Sequence, residues 1–185
     1  MDKILFFGYG ANRDKKRLGD ILRVSGLSGD DLKLEGGFGA RVDGMVLAIQ
    51  TFQQIPQTLR DRLIKVWGGS FRAYTLKPGN GQVAGILWGL NEKQFEALKA
   101  WEHDDVWREF VEVEITTTDQ HKLKAFTEKA INDNDVAQIV DGLNYESNLN
   151  TQGMRIPANE NDTYRIEELQ RIRSELANFQ PNSRI

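Results

Sequence analysis

The chain has 185 residues, of which 39% are hydrophobic and 28% charged, a mixture typical of one globular domain. A net charge of −3 gives no basic surface for nucleic acid, and no apolar run approaches the roughly 20 residues that cross a bilayer. The absence of cysteine excludes disulfides, thiolate catalysis and cysteine-based metal sites. Because the first residues lack a signal-peptide pattern, we expect a cytoplasmic protein with no nucleic-acid or membrane partner.

The first third of the chain predicts a strand, a turn, a helix and a second strand. The apolar run Lys3–Phe7 indicates a buried strand that ends in the glycine turn Gly8–Asn12. A helix is expected over residues 13–24, followed by a loop at 26–31. After a glycine-rich stretch, we expect a strand over residues 45–50. The core-facing residues of the helix are Leu18, Ile21 and Leu22.

The middle of the chain predicts two helices on either side of a β-hairpin. The segment Thr58–Trp67 indicates the first of these helices. Two strands, Phe71–Leu76 and Val83–Gly89, are separated by residues 77–81, whose Pro-Gly-Asn-Gly sequence is a strong turn signal. The segment Asn91–Glu102 predicts the second helix.

The last part of the chain begins with a clear strand and then becomes hard to interpret. Strict alternation over Phe110–Thr117 predicts a half-buried strand, and Leu123–Phe126 pairs with it across a short turn. Residues 136–162 are rich in asparagine and have weak periodicity. A final helix is expected from Asp162 or Thr163 onwards. Its expected inner face consists of Ile166, Leu169, Ile172 and Leu176.

Together these elements indicate an α+β fold with a mixed, barrel-like β-sheet flanked by helices. No internal repeat or linker divides the chain. We therefore expect a single domain over residues 1–179 and a frayed tail over 180–185.

Glu102 occupies a position where an amphipathic helix normally carries an apolar residue. Asn91 and Gln94 have the spacing of a capping box, which fixes where the helix begins. In that helix Phe95, Leu98 and Glu102 share one face. Burial on this face would disfavour the charged carboxylate and raise its pKa, which suits a group that transfers protons. Exposure to solvent at the helix end is the alternative.

The turn formed by Tyr9, Gly10, Ala11 and Asn12 is a candidate binding loop. Its glycine permits dihedral angles that let backbone N–H groups converge on a carboxylate or an oxyanion. A dinucleotide fingerprint is excluded, because Arg13 stands where the third glycine is required. A plain strand-to-helix turn is the alternative.

Other residue clusters suggest weaker alternatives. The run Glu102–Asp105 offers oxygen and imidazole ligands, yet adjacent residues cannot easily converge on one metal ion, and a solvated loop is favoured. His103 is expected at the surface or in a loop, and His121 in a solvated turn. No G-x-S-x-G motif supports a serine hydrolase. Trp88 is expected in the core of its strand. The tryptophans that could form an aromatic contact patch in a purely structural role are Trp67, Trp88, Trp101 and Trp107.

Four segments in succession resemble the gamma-glutamylcyclotransferase-like superfamily. The sequence FFGYGAN at Phe6–Asn12 is similar to the FAYGSN turn of that superfamily, with Ala11 in place of serine. The strand VAGILWGL at Val83–Leu90 is similar to its V-x-G-x-x-W/Y pattern. The helix over residues 92–102 then ends in a glutamate, as in the LDxxEG sequence, and the alternating strand Phe110–Ile115 follows.

The resemblance implies a reaction without a cofactor or a metal. The α-amine of a γ-glutamyl group attacks its own γ-carbonyl, 5-oxoproline forms, and an amine or amino acid leaves. Glu102 is then the general acid and base. The implied partner is a small γ-glutamyl-containing molecule, a homodimer is left open, and a non-catalytic metabolite-binding protein of the same fold is the alternative. The implied substrate-binding residues are Tyr9, Gly10, Ala11 and Asn12.

Departures from the superfamily pattern leave the substrate open. Lys99 and His103 replace the aspartate and the glycine of LDxxEG. Trp107, Arg108 and Glu109 stand where many members carry a tyrosine before the next strand. These differences leave the expected fold unchanged but do not identify the leaving group.

Overall fold

The computed structural model describes residues 3–134, 136, 138–147, 149 and 163–178, with side chains for all of them except 65–67 and 163–169. Six strands and four α-helices occur in this part of the chain. None of these helices is long and apolar enough to span a membrane. In chain order the elements are β1 (Ile4–Gly8), α1 (Lys15–Val24), β2 (Glu35–Thr51), α2 (Gln57–Trp67), β3 (Arg72–Leu90), α3 (Glu92–Trp101), β4 (Arg108–Thr117), β5 (Lys122–Ala130), β6 (Gln138–Val140) and α4 (Thr163–Asn178).

Strands β1 to β5 close into a mixed barrel. The order around the barrel is β3-β1-β5-β4-β2, and β2 pairs again with β3. Strands β1 and β5 run parallel, whereas the other neighbouring pairs are antiparallel. Closure gives each long strand a partner on both sides, which leaves no long unpaired edge among these five. The predicted α+β fold with a mixed, barrel-like sheet flanked by helices is confirmed.

The longest ladder joins β2 and β3, and it shows that one predicted turn is wrong. Strand β3 continues through residues 77–81, and Pro78 lies opposite Met45 of β2. The local turn signal is overridden because β2 pairs with β3 on both sides of it, and a register shift between Asp43 and Met45 absorbs the irregularity. Gly81 allows the close approach, since a Cβ there would lie 2.8 Å from the Met45 carbonyl oxygen.

Two further strand boundaries differ from the predictions. Strand β2 begins at Glu35, ten residues before the expected start at 45, because Gly36 lets the backbone pass close to β3. A Cβ at Gly36 would lie 2.7 Å from the Leu87 carbonyl oxygen, and its φ of +88° is left-handed. Strand β6, which was not predicted, pairs with residues 47–49 of β2.

The predicted helices are confirmed with small differences in their bounds. Helix α1 begins at Lys15, and the Asp14 side chain accepts hydrogen bonds from two backbone N–H groups of the first turn. Helix α3 has the predicted capping box, in which Asn91 and Gln94 each accept a hydrogen bond from the other's backbone N–H. Ile172 of helix α4 is buried. The side chains of residues 163–169 in this helix and the predicted tail over 180–185 lie outside the described residues.

Three apolar clusters of described residues hold the helices and the barrel together, and Phe6 and Phe7 belong to two of them. Successive side chains of a strand point to opposite faces, so Phe6 packs towards the helices while Phe7 fills the barrel. Burial of each such side chain stabilises the fold by about 2 kcal/mol. Trp88 is buried in the core of β3, as expected. The aromatic contact patch is wrong for Trp101 and Trp107, because both are buried, and the side chain of Trp67 lies outside the described residues.

Candidate active site

The turn that follows β1 is fixed by close backbone contacts. Gly10 has a φ of +54° and begins a single 3₁₀ turn that ends at Arg13. Gly8 brings the backbone of β1 against this turn, since a Cβ there would lie 2.4 Å from the Asn12 carbonyl oxygen. The same oxygen accepts a hydrogen bond of 3.0 Å from Trp88 Nε1 of β3. These contacts hold the turn in one position relative to the barrel.

Glu102 follows the last residue of α3 and reaches this turn. Its backbone N–H continues the helix by donating to the Leu98 carbonyl at 2.9 Å. Its side chain is partly exposed, and Oε1 accepts a hydrogen bond of 3.0 Å from Asn12 Nδ2. Asn12 itself is buried, and its Oδ1 makes no hydrogen bond within the described part of the chain. The structure thus brings the predicted acid together with the predicted turn.

A cavity of about 60 Å³ lies where the turn, the end of α3 and the start of β4 converge. This volume has room for several water molecules or for a small polar group. All four residues of the predicted binding turn line it. The charged residues that line it are Arg17, Arg72, Glu102, Arg108 and Glu128. The aromatic residues that line it are Tyr9, Phe71, Tyr74, Trp101 and Trp107.

Glu128 of β5 is a second carboxyl group in the cavity, and it was not predicted. It is 4% exposed, and its Oε2 accepts a hydrogen bond of 2.6 Å from the hydroxyl of Tyr9. Burial raises the pKa of Glu128 to about 8, against the opposing effects of Arg108 and the Tyr9 hydrogen bond, while Glu102 adds to the increase. The group held away from water in this site is therefore Glu128. Glu102 is partly exposed, so its expected burial on the apolar face of α3 is wrong.

A signal for Glu128 was present in the sequence. Alternation along β5 places Phe126, Glu128 and Ala130 on one face, and Ala130 is fully buried. A carboxylate between two apolar residues of one strand face has the same pattern that singled out Glu102. Only the first part of β5 was predicted as a strand, so this face was not recognised.

The backbone N–H groups of the turn are partly engaged within the protein. The N–H of Gly10 donates to the Tyr145 hydroxyl at 3.3 Å, and the N–H of Asn12 donates to the Tyr9 carbonyl at 3.0 Å. The Tyr145 hydroxyl in turn donates to the Ala84 carbonyl. Tyr145 was also missed, because it lies in the stretch without clear periodicity. These two N–H groups bind internal oxygens, and a ligand that used them would have to displace those oxygens.

The acidic run after α3 is a structured connection. His103 lies in the connection after α3, as one of the two expectations had it, but it is 5% exposed and is therefore not at the surface. Its φ of 55° is the left-handed conformation that a glycine commonly adopts after a helix. Asp104 forms an ion pair of 3.0 Å with Lys99. His121 is exposed, as predicted. Among the described residues, no three His, Asp or Glu side chains converge as metal ligands.

Comparisons with known proteins place this arrangement in a family. Residues 38–146 match the family described as gamma-glutamyl cyclotransferase, AIG2-like. This range is more than half of the chain and contains Glu102, Arg108 and Glu128, whereas the turn at residues 9–12 precedes it. No curated protein gives a significant match.

Two solved structures have a similar fold. One is named gamma-glutamyl cyclotransferase, with 14% sequence identity and a TM-score of 0.57, and the match covers 99% of this chain and 91% of that chain. The other is an uncharacterized protein from Homo sapiens, with 15% identity and a TM-score of 0.57, covering 100% of this chain and 92% of that chain. At these identities the likeness shows the fold alone.

Proposed function

Because this chain belongs to the gamma-glutamyl cyclotransferase, AIG2-like family, we propose that it converts the γ-glutamyl group of a small amide into 5-oxoproline and releases an amine or amino acid. In this proposal Glu102 is the general acid and base, and residues 9–12 hold the glutamyl group. The observation that carries it is the hydrogen bond of 3.0 Å between Asn12 Nδ2 and Glu102 Oε1, which joins the acid and the turn at one cavity.

The proposed reaction needs one group that accepts a proton and returns it. The substrate α-ammonium gives a proton to the Glu102 carboxylate, and the resulting amine attacks the γ-carbonyl carbon. The new C–N bond closes a five-membered lactam, and Glu102 returns the first proton to the departing nitrogen as the original C–N bond breaks. The surplus proton of the ring nitrogen then passes to the released amine, which leaves as an ammonium ion. The reaction is balanced without a cofactor. General acid–base catalysis of this kind contributes about 10²–10⁴-fold in rate.

The surroundings of Glu102 support this role. Asn12 binds Oε1, so we assign the proton transfer to Oε2. A carboxyl group at the edge of a cavity can change its charge without leaving an unpaired charge in the protein interior. Arg17 lines the same cavity and interacts electrostatically with Glu102. The narrow space would also curl the glutamyl chain towards attack geometry, which reduces the entropic part of the barrier.

The proposal is tested by measuring 5-oxoproline after incubation with γ-glutamyl amino acids and γ-glutamylamines. We expect turnover of some members of this panel, and a loss of two or more orders of magnitude in Glu102→Gln. Glu96→Gln is the matched control, because Glu96 lies on the same helix, interacts with Lys99 and does not line the cavity. Turnover that survives Glu102→Gln would refute the role of this residue.

The alternative function is binding without chemistry. If no member of the panel is turned over but 5-oxoproline or a γ-glutamyl compound binds, the protein is a metabolite-binding member of the fold. The Gly10 and Asn12 N–H groups bind internal oxygens, so in this conformation they do not serve as an oxyanion hole, and this favours binding over catalysis. If the protein only binds the metabolite, the variant Glu102→Gln should bind it with the same affinity as the native protein.

A further inference from the structure

Arg108 is a buried cation with unused hydrogen-bonding capacity. It is 2% exposed and lines the cavity. Its Nη2 donates to the Tyr74 carbonyl at 2.9 Å, and the guanidinium lies 4.4 Å from the ring centroid of Trp107. Its Nε and Nη1 are buried and make no hydrogen bond within the described residues. Unsatisfied N–H groups on a buried charge are costly, and a bound ligand, ion or water that accepts from them removes that cost.

The internal counter-ion of Arg108 is a poor partner at neutral pH. Among the described residues, the carboxylate oxygen that pairs with Arg108 is Glu128 Oε2. It lies 3.8 Å from Nη1, well beyond the roughly 2.8 Å of a charge-assisted hydrogen bond. The same oxygen already accepts a hydrogen bond from Tyr9. Because burial raises the pKa of Glu128 to about 8, this carboxyl is mostly uncharged at pH 7 and does not neutralise Arg108.

The charges around Glu128 come from several elements. Tyr9 faces it from the turn after β1, Arg108 from β4 and Glu102 from the end of α3. Tyr145 is within electrostatic range, and burial raises its pKa, so it is uncharged at neutral pH. With Glu128 uncharged, the described residues that line the cavity include more guanidinium groups than carboxylates, since Arg17 and Arg72 also line it. This balance favours an anionic ligand.

We propose that Arg108 binds a carboxylate of the ligand, and that Glu128 is the internal carboxyl group which competes with this carboxylate for Arg108 when it is ionised. For the identity of the ligand, the inference rests on the proposed function, because a γ-glutamyl group and 5-oxoproline each carry one such carboxylate. The position makes Arg108 a specificity-determining residue that distinguishes an acid from its amide. Binding would require a protonated Glu128, because an ionised Glu128 would both pair with Arg108 and repel the ligand carboxylate.

The test measures binding rather than turnover. Isothermal titration calorimetry is carried out with 5-oxoproline and with its uncharged primary amide. In the native protein we expect the acid to bind at least tenfold more tightly than the amide at pH 7, and its affinity to fall about tenfold between pH 7 and pH 9 as Glu128 ionises. Proton uptake, measured in two buffers of different ionisation enthalpy, should appear near pH 8.

Two variants separate the roles of the pair. Arg108→Gln should lose the preference for the acid over the amide. Glu128→Gln should keep that preference and remove the pH dependence, and it provides a readout even if Arg108→Gln fails to fold. Glu114→Gln, on the exposed part of β4 and paired with Lys122, is the control that should behave like the native protein.

Several results would overturn the inference. In the native protein, these results are equal affinity for the acid and the amide, an affinity that does not change with pH, or no binding of 5-oxoproline at millimolar concentration. A folded Arg108→Gln that still prefers the acid would also overturn it. Failure of the proposed function is a separate result. If the protein prefers the acid but shows no turnover, the role of Arg108 is kept and the proposed reaction is rejected. If turnover depends on Glu102 but binding does not change with pH, the reaction is kept and the inference about Arg108 and Glu128 is rejected.

Discussion

The change Glu128→Gln is expected to alter the pH dependence of folding stability. The folded protein holds a proton on Glu128 up to about pH 8, whereas an unfolded chain releases it near the ordinary value of 4.5. Between these values the unfolded state binds fewer protons, so the free energy of unfolding falls as pH rises. Below pH 4.5 this contribution is fully present, and above about pH 8 it is lost.

The size of the effect follows from the width of that window. Each pH unit within it removes about 1.4 kcal/mol, so the interval from 4.5 to about 8 corresponds to about 5 kcal/mol at most. Glutamine keeps an acceptor for the Tyr9 hydroxyl and never ionises. We therefore expect Glu128→Gln to match the native protein near pH 4.5 and to exceed its stability by about 3–5 kcal/mol at pH 8. In a chain of this length that difference raises the Tm by on the order of 10 °C.

The assay is urea unfolding of the two proteins at half-unit intervals from pH 4.5 to 8.5. Glu114→Gln, which removes an exposed carboxylate from β4, should follow the native curve without a trend. Curves for native protein and Glu128→Gln that stay parallel over this range would contradict the reasoning. So would a variant that is less stable at pH 8, because Glu128 would then be ionised in the folded protein and paired with Arg108.

Three further predictions concern the turn and its surroundings. Gly8→Ala should destabilise the fold by about 2 kcal/mol or more in thermal unfolding, because its Cβ would lie 2.4 Å from a carbonyl oxygen of the turn. As a control, Gly19→Ala should stabilise α1 by about 0.5–1 kcal/mol, because the space around Gly19 is open. Tyr9→Phe removes the hydrogen bond that lowers the pKa of Glu128, so that pKa, followed by NMR titration, should rise further. Gln120→Gly should raise the Tm by roughly 2 °C, because the exposed Gln120 has a φ of 68°; an unchanged Tm would contradict this reasoning.

The position of Glu102 could be predicted because its signals are local. The capping box at Asn91 and Gln94 fixes the start of α3, and the helical period then places the glutamate relative to Phe95 and Leu98. The hydrogen bond to Asn12 crosses 90 positions of sequence, and it was expected only through the resemblance of two separate motifs to one superfamily.

The role of Glu128 could not be predicted in the same way, because its burial depends on distant partners. Tyr9 lies 119 positions away in the chain, and Arg108 reaches Glu128 only because β4 pairs with β5. The wrong turn at residues 77–81 has a related cause. A local Pro-Gly-Asn-Gly signal predicted a chain reversal, whereas pairing with β2 on both sides keeps that part of β3 in the sheet.

The two carboxyl groups of the cavity are suited to different tasks because their environments differ. A group that takes a proton from one nitrogen and gives it to another must change its charge during each cycle, and Glu102 stands at the cavity edge where water and Asn12 can accommodate that change. Glu128 is enclosed beside Tyr9 and Arg108, and it holds its proton at neutral pH too firmly to accept another. If the roles were reversed, Glu128→Gln would abolish turnover and Glu102→Gln would spare it. Two carboxyl groups in such different environments can therefore take different roles. Glu102 acts as the acid and base, and Glu128 controls the charge of the binding site.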